Sequence, residues 1–417
     1  MRLITDWHIH SKYSRACSRD LELPKIAAMC QRKGIHVAAT GDWTHPKWVE
    51  HLKENLVETA PGMYGLKDGS SSVQFMLVTE ISQIYKRGDK TRRVHNLVFA
   101  PSLEIVDRVN AEFDRRNFNR KSDGRPILGI DSEVLYKVLK EIDERIIVVP
   151  AHAWTPWYSV FGSKSGFDSL DECFGEMTKY IYAIETGLSS NPKMNWQLSQ
   201  LENIAFISNS DAHSPDKLGR EANVFDLEAP TYDSFVAALR DRDPKRFVST
   251  IEFFPEEGKY HWDGCANCGF SCAPQESKRL GLCCPKCRKP LILGVEHRVE
   301  ALMDRDATKV ALNKVSYVSI VPLKEVIGEV FQVGVSSKKV CALYDRLTEQ
   351  VASEFTLLLE TPIEQISVEG GVVLAEAIRR VRAGLVHATP GYDGIFGTIK
   401  VFNQNDRPVS AKQSPLL

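Results

Sequence analysis

Along the first 250 residues of this chain, short apolar runs end repeatedly in a residue able to hold a cation. Ile35 to Gly41 runs into Asp42, Val73 to Thr79 into Glu80, and Arg145 to Ala151 into His152. Tyr180 to Ile184 ends in Glu185, and Ile204 to Asn209 ends in Asp211 and His213. Apolar runs this short read as buried strands. Helical patterns lie between some of them. Pro24 and Gly34 frame one, with Ile26, Ala27, Met29 and Cys30 as its apolar side. Val134, Leu135, Val138, Leu139 and Ile142 mark another after an expected cap at Ser132. One strand-terminal Asp or His would be a cap or a turn residue. A recurrent one is explained by a parallel β/α barrel, whose strands deliver their C-terminal loops to a single mouth. His95 is the exception, because it precedes its apolar run, Asn96 to Phe99.

The first strand, residues 2–8, ends in His8-Ile9-His10. Side chains alternate along a strand, so both imidazoles share a face and make half of a metal site. A length of 417 residues predicts two or three domains. No apolar run approaches the roughly 20 residues that span a bilayer, so no membrane association is expected. The N-terminus runs straight into a strand without a signal pattern, and a cytoplasmic location is expected. The net charge of −1 carries no sign of nucleic acid. Local runs do: Lys86 to Arg93 and Asp114 to Arg125 each hold five basic residues, against one and two acids.

The set His8-x-His10, Gly41-Asp42, Glu80, His95, His152 and Asp211-x-His213 resembles the PHP superfamily of polymerase and histidinol phosphatase domains. The resemblance covers about residues 1–250. It implies a distorted seven-stranded β/α barrel with two or three divalent ions held by His8, His10, Glu80, His95, His152, Asp211 and His213, Glu80 bridging two of them. Two positions depart from the family pattern. Ala16 stands where many members carry His or Asp, and Gly41-Asp42-Trp43 replaces Thr-Asp-His. Either His45 fills the vacant slot by a different loop path or Asp42 binds metal itself. Asp211, His213, Glu80 and Asp42 are the expected catalytic residues. Clustered cations clamp phosphoryl oxygens and acidify a bound water, which suits phosphoester hydrolysis by metal-activated hydroxide. Zinc suits the histidine-rich set, and Mn²⁺ or Fe²⁺ also fits nitrogen and carboxylate ligands.

After His152, Trp154, Trp157 and Tyr158 form an aromatic group able to stack on a base or wedge into a duplex, or to fill a core. The following Gly162-Ser163-Lys164-Ser165-Gly166 is a candidate phosphate loop in which Lys164 and Ser165 would contact DNA. Pro255 to Gly258 reads as a linker. Cys265-x-x-Cys268 and Cys284-x-x-Cys287, fifteen residues apart, read as one structural zinc site, with Cys272 and Cys283 spare and Cys283 able to replace Cys284.

Farther on, Val340 to Glu354 reads as helix, Phe355 to Leu359 as strand, Leu374 to Ala383 as helix and Thr398 to Phe402 as strand. Between the last two lies Thr389-Pro390-Gly391-Tyr392-Asp393-Gly394-Ile395-Phe396-Gly397. It is either a tight turn or a loop whose backbone approaches a ligand while Tyr392 or Phe396 packs against it.

A PHP barrel, a pair of Cys-x-x-Cys knuckles and this Pro-Gly-Tyr-Asp-Gly segment together resemble the endonuclease Q family. So do Ser208 to Pro215 and Lys164 to Asp168. The resemblance implies a DNA repair endonuclease that nicks 5′ to uracil, hypoxanthine, xanthine and abasic sites and leaves 3′-hydroxyl and 5′-phosphate ends. The expected architecture is an α/β barrel over 1–252, a four-cysteine zinc module over 253–300 and a C-terminal α+β lesion- and DNA-binding domain over 301–417. The lesion would be flipped out and read by backbone groups of the Gly391 to Gly397 loop, Gly391, Asp393 and Gly394 among them, with Tyr392 stacking. Damaged DNA is the expected partner, with a replication clamp as a candidate protein partner. The competing readings are a histidinol-phosphatase-like phosphomonoesterase and a non-catalytic DNA-binding PHP protein.

Overall fold

The computed structural model describes residues 1–307, 314–403 and 408. Seven strands form a ring. Arg2–Asp6 lies parallel to Val37–Ala39, which lies parallel to Gln74–Arg87. That strand turns back as Lys90–Ala100, antiparallel to it, and Ile147–Pro150 runs antiparallel in turn to Lys90–Ala100. Ala183–Glu185 and Ala205–Ile207 pair in parallel. Backbone hydrogen bonds close the ring, from Ala153 N to Glu185 O (2.9 Å) and from His10 N to Ala212 O (3.2 Å). The expected barrel is therefore present with one strand reversed. That reversal explains His95. Its strand enters from the mouth, opposite Ser82, so the ligand precedes the apolar run.

The ring strands carry enclosed apolar residues on both faces: Val37, Phe75, Leu77, Val149, Ile184 and Ile207 are all buried. Each large side chain buried in this way contributes about 1.5–3 kcal/mol. The helix Leu23–Lys33 starts on Pro24 and stops at Gly34, whose φ of 86° is left-handed. The helix Ser132–Ile142 is capped by Asp131, whose side chain accepts from Glu133 N. Ser132, the expected cap, is instead buried between Tyr85 and Gln83.

Ala222–Asp226, Phe247–Glu252 and Ser316–Ser319 extend the sheet beyond Arg2–Asp6, so a strand from the C-terminal region continues the barrel sheet. The turn Pro255–Glu257, expected as a linker, is packed. Pro255 is buried, a Cβ on Gly258 would collide with Ser189, and Glu256 O accepts from Gly391 N at 2.7 Å. The C-terminal region holds five helices among the described residues: Leu323–Phe331, Lys338–Gln350, Glu354–Leu359, Ile363–Gly370 and Val372–Arg382. It also holds a hairpin of His387–Thr389 with Thr398–Lys400. Phe355 to Leu359 is thus helix, not the expected strand. Five residues are too few to reveal a period, and tertiary packing that buries Phe355, Leu357 and Leu358 decides the conformation. No helix among the described residues is long and apolar enough to cross a membrane.

Candidate active site

Segments that follow the strand ends, together with the middle of the Gln74–Arg87 and Lys90–Ala100 hairpin, bring two donor clusters together at the mouth, His8 with His10 and Asp211, and Glu80 with His95 and His152. In the first, His10 Nε2 lies 3.0 Å and His8 Nε2 3.5 Å from Asp211 Oδ1. In the second, His95 Nδ1 lies 2.6 Å and His152 Nε2 3.2 Å from Glu80 Oε1. Glu80 Oε2 faces the other way, 3.5 Å from both His8 Nε2 and His10 Nε2. One carboxylate thus presents an oxygen to each cluster, the geometry of a bridging ligand. His213 stands beside the first cluster, its ring centroid 4.7 Å from that of His10 and its Nδ1 2.8 Å from Asp211 O.

Cations fit this donor set. His8 Nε2 is buried and has no hydrogen-bond partner, because Glu185 holds the opposite ring nitrogen at 3.0 Å. Glu185 also accepts from His152 N (2.7 Å) and Asn209 Nδ2 (2.9 Å), so it orients two candidate ligands without being one. Burial alone would raise the Glu80 carboxyl, but His95, Arg125 and His8 hold it well below the usual range. Arg125 Nη1 lies 2.9 Å from Glu80 Oε2. Burial pulls His95 down to about 4, whereas Asp211 and Asp42 outweigh burial and push His10 up to about 9. Asp42, His152 and Asp211 have φ of 41°, 30° and 46°, left-handed values that cost non-glycine residues on the order of 1–3 kcal/mol each. Ala16, the position lacking a ligand, shares that conformation at φ 61° and lines the mouth.

Two expected ligands are corrected. Asp42 accepts from Ser11 N (2.7 Å), Ser11 Oγ (2.6 Å) and Ser14 Oγ (2.9 Å), and meets His10 Nδ1 at 3.2 Å. The three serine contacts all fall on Oδ2, and Oδ1 orients His10 as Glu185 orients His8. His45 stacks on Tyr13, with ring centroids 4.4 Å apart, and joins neither cluster. Glu185 was expected only as one more cation-holding strand end, not as a residue that orients ligands, and Arg125 was not foreseen as a site residue. The only signals were a strand-terminal acid and a basic run.

Above the clusters opens a cavity of about 780 Å³ whose wall includes Trp157, Tyr158, Leu188, Lys259, Tyr260 and Phe396. Several expected DNA contacts lie away from this mouth. Trp154 is core, 1 % exposed and bonded to Asn195 at 2.7 Å. Ser165 is buried and serves Tyr158 N and Arg93 O, and Lys164 points into a different cavity. In the Gly391–Gly397 loop the N–H groups of Gly391, Tyr392, Gly394, Ile395 and Gly397 all donate to protein carbonyls, which removes them as base readers. Tyr392 packs over Gly264, where a Cβ would collide with its ring, and Asp393 Oδ2 accepts from Ala266 N at 2.7 Å. Both residues fasten the loop to the cysteine module. Phe396, 60 % exposed, is the loop side chain that reaches the mouth.

Cys265, Cys268, Cys284 and Cys287 gather into one cluster, with Cys272 and Cys283 outside it. Four thiol sulfurs drawn together fit a tetrahedral soft-ligand site.

Residues 193–244 match the family described as PHP-associated, and residues 322–385 match the family described as the MJ0043 C-terminal domain. The Bacillus subtilis protein YqxK is 27 % identical over 417 residues, 96 % of this chain and 99 % of that protein. The protein MJ0043 of Methanocaldococcus jannaschii is 29 % identical over 285 residues, 66 % of this chain, and the matched part is 35 % of its own length. Two solved structures align with a TM-score of 0.85 at 31 % identity over 96 % of this chain. One is the lesion-specific endonuclease PfuEndoQ of Pyrococcus furiosus, of which 95 % is covered. The other, covered to 96 %, is endonuclease Q in complex with a 27-mer duplex substrate carrying an abasic lesion at the active site.

Proposed function

The chain belongs to the endonuclease Q family, and on that premise we propose that it is a metal-dependent DNA repair endonuclease that nicks one strand 5′ to uracil, hypoxanthine, xanthine or an abasic site. The observation that carries this reading is Glu80, which presents one oxygen to each of two three-residue clusters at the floor of an open mouth. Divalent ions bound there, zinc as the first choice, would supply positive charge to phosphoryl oxygens and acidify a bound water. The chain's own residues do the rest. Glu185 and Asp42 fix the rings of His8 and His10, and Arg125 adds a cation beside Glu80. Trp157, Tyr260 and Phe396 give the mouth an aromatic wall against which a flipped nucleotide can pack. The products would carry 3′-hydroxyl and 5′-phosphate ends.

We take the chain as three functional units, 1–252, 253–300 and 301–417, with a structural zinc in the second. The loop at Tyr392 and Asp393 joins that unit to the mouth. A phosphomonoesterase acting on a small metabolite would have no use for this extra wall. The test is Asp211→Asn on a duplex with a single lesion. Removing one anionic donor should abolish nicking while leaving most DNA affinity, because phosphate contacts from Lys and Arg remain. Cleavage by the variant at near wild-type rate under the same metal conditions would overturn the assignment.

A further inference from the structure

Across the loop 154–167 from the mouth lies a second cavity, of about 450 Å³. Arg87, Lys90 and Arg92 reach it from the long hairpin, Lys164 from the loop, and Arg298 from the helix Val295–Leu302. Two of these cations are neutralised in place, Arg87 by Asp131 and Arg298 by Asp168. The other acid at the wall, Glu172, accepts from Asp168 N at 3.0 Å. Lys90 and Lys164 are exposed and have no acid within ion-pair distance among the described residues. The guanidinium of Arg92 lies 4.1 Å over the Phe167 ring and donates to Gly166 O, yet its Nε is enclosed without a partner. The cavity therefore holds an excess of cationic donors that the protein does not satisfy.

We propose that this cavity is a second phosphate site, which takes a backbone phosphodiester of the duplex flanking the nick. The proposal rests on the reading of the chain as a DNA-binding enzyme. Three features select a phosphate over a base. The unpaired cations at the wall, Lys90 and Lys164, are N–H donors, and phosphate oxygens are acceptors. The one aromatic side chain there, Phe167, is buried and already covered on its face by Arg87 and Arg92, so no ring is free for stacking. The loop is also held stiffly, with Lys164 N bonded to Pro156 O (2.9 Å) and Phe167 N to Val160 O (2.6 Å). Its near side presents Trp157 and Tyr158 to the mouth and its far side presents Lys164 to this cavity. A strand that leaves the mouth over this loop meets the cavity next. Contacts of this kind fix register and carry no sequence information.

The experiment compares the full chain with a Lys90→Ala/Lys164→Ala double variant, and measures the affinity for a labelled duplex by anisotropy across a range of salt. Losing the one phosphodiester contact should lower the salt exponent by about 0.9, so the wild-type advantage shrinks roughly 3.5-fold between about 50 and 200 mM salt. Lys164→Arg should restore most of the loss from Lys164→Ala, and Lys164→Glu should deepen it. Both lysines are exposed, and thermal midpoints matching the wild type would show that folding is intact. Equal exponents for wild type and double variant would overturn the proposal. So would a variant that loses affinity for inorganic phosphate but none for DNA, which would make the cavity a free-anion site. Nicking is a separate measurement. A wild-type protein that binds DNA with the predicted exponent but never cuts would refute the proposed activity and leave this site standing.

Discussion

Glu185 is the residue whose replacement discriminates most sharply between a built metal centre and a chance cluster of histidines. Its two oxygens serve three donors: His8 Nδ1 at 3.0–3.1 Å, His152 N at 2.7 Å and Asn209 Nδ2 at 2.9 Å. In Glu185→Gln the new amide nitrogen must face one of them. Asn209 cannot turn to accommodate it, because its Oδ1 already accepts from Trp7 N (2.8 Å) and Asn223 Nδ2 (3.0 Å). One buried donor is left facing another, at a cost of about 1–3 kcal/mol. The lost charge also frees the His8 ring, and such an outer partner is worth about 10–100-fold in metal affinity or activity. Metal-stripped protein titrated with Mn²⁺ or Zn²⁺, with nicking rate and unfolding midpoint followed together, separates the two effects. The variant should unfold more easily without metal and need about 10–100 times more metal for half-maximal rate. Superimposable metal titrations for variant and wild type would refute the argument that Glu185 positions a ligand.

Two further outcomes are expected. Cys265→Ser should release one zinc per chain and weaken DNA binding while the barrel metals stay bound, since the folding energy of such a module comes largely from its metal; metal analysis beside a binding isotherm checks this, and unchanged DNA binding without that zinc would detach the module from the DNA surface. Glu257 is half-buried, and burial, with Glu325 nearby, pushes its carboxyl from an ordinary 4.5 up to about 8. The folded chain then keeps a proton that the unfolded chain releases. The associated stability is full below about 4.5 and is lost as the pH rises through about 8. Glu257→Gln should therefore gain thermal midpoint over wild type as pH rises through that window and level off above it, and a difference that is flat with pH would contradict the burial argument.

The ring and most of its mouth were legible because strand ends are marked twice, by an apolar run and by the polar residue that stops it. His8, His10, Glu80, His152 and Asp211 all carry that double mark. What the sequence concealed was which face a polar residue serves. Asp42 and Glu185 each end an apolar run as Glu80 does, yet their carboxylates point to the backs of the histidines. Only the positions of Ser11, Ser14 and Asn209 reveal this. Trp154 and Trp157 are three residues apart and compositionally equivalent, but a bond to Asn195 places one in the core and the other at the mouth. Arg125 lay within a basic run whose other members are solvated or paired, such as Arg115 and Arg116 with Glu112. The Gly391–Gly397 loop looked like a ligand cradle because glycine permits close approach. The close approach is real, but it is to residues 256–259 and the cysteine module.

The central claim is a metal-dependent nick on the 5′ side of a lesion. Its most direct measurement uses duplexes labelled at either end and carrying one uracil, one hypoxanthine or one abasic site, incubated with metal-loaded protein and resolved to the nucleotide. The account predicts a single cut immediately 5′ to the lesion, a 3′-hydroxyl that a polymerase extends, a 5′-phosphate that a ligase accepts, and loss of all cutting with chelator. Cleavage 3′ to the lesion, release of a free base, or equal cutting of undamaged DNA would contradict it.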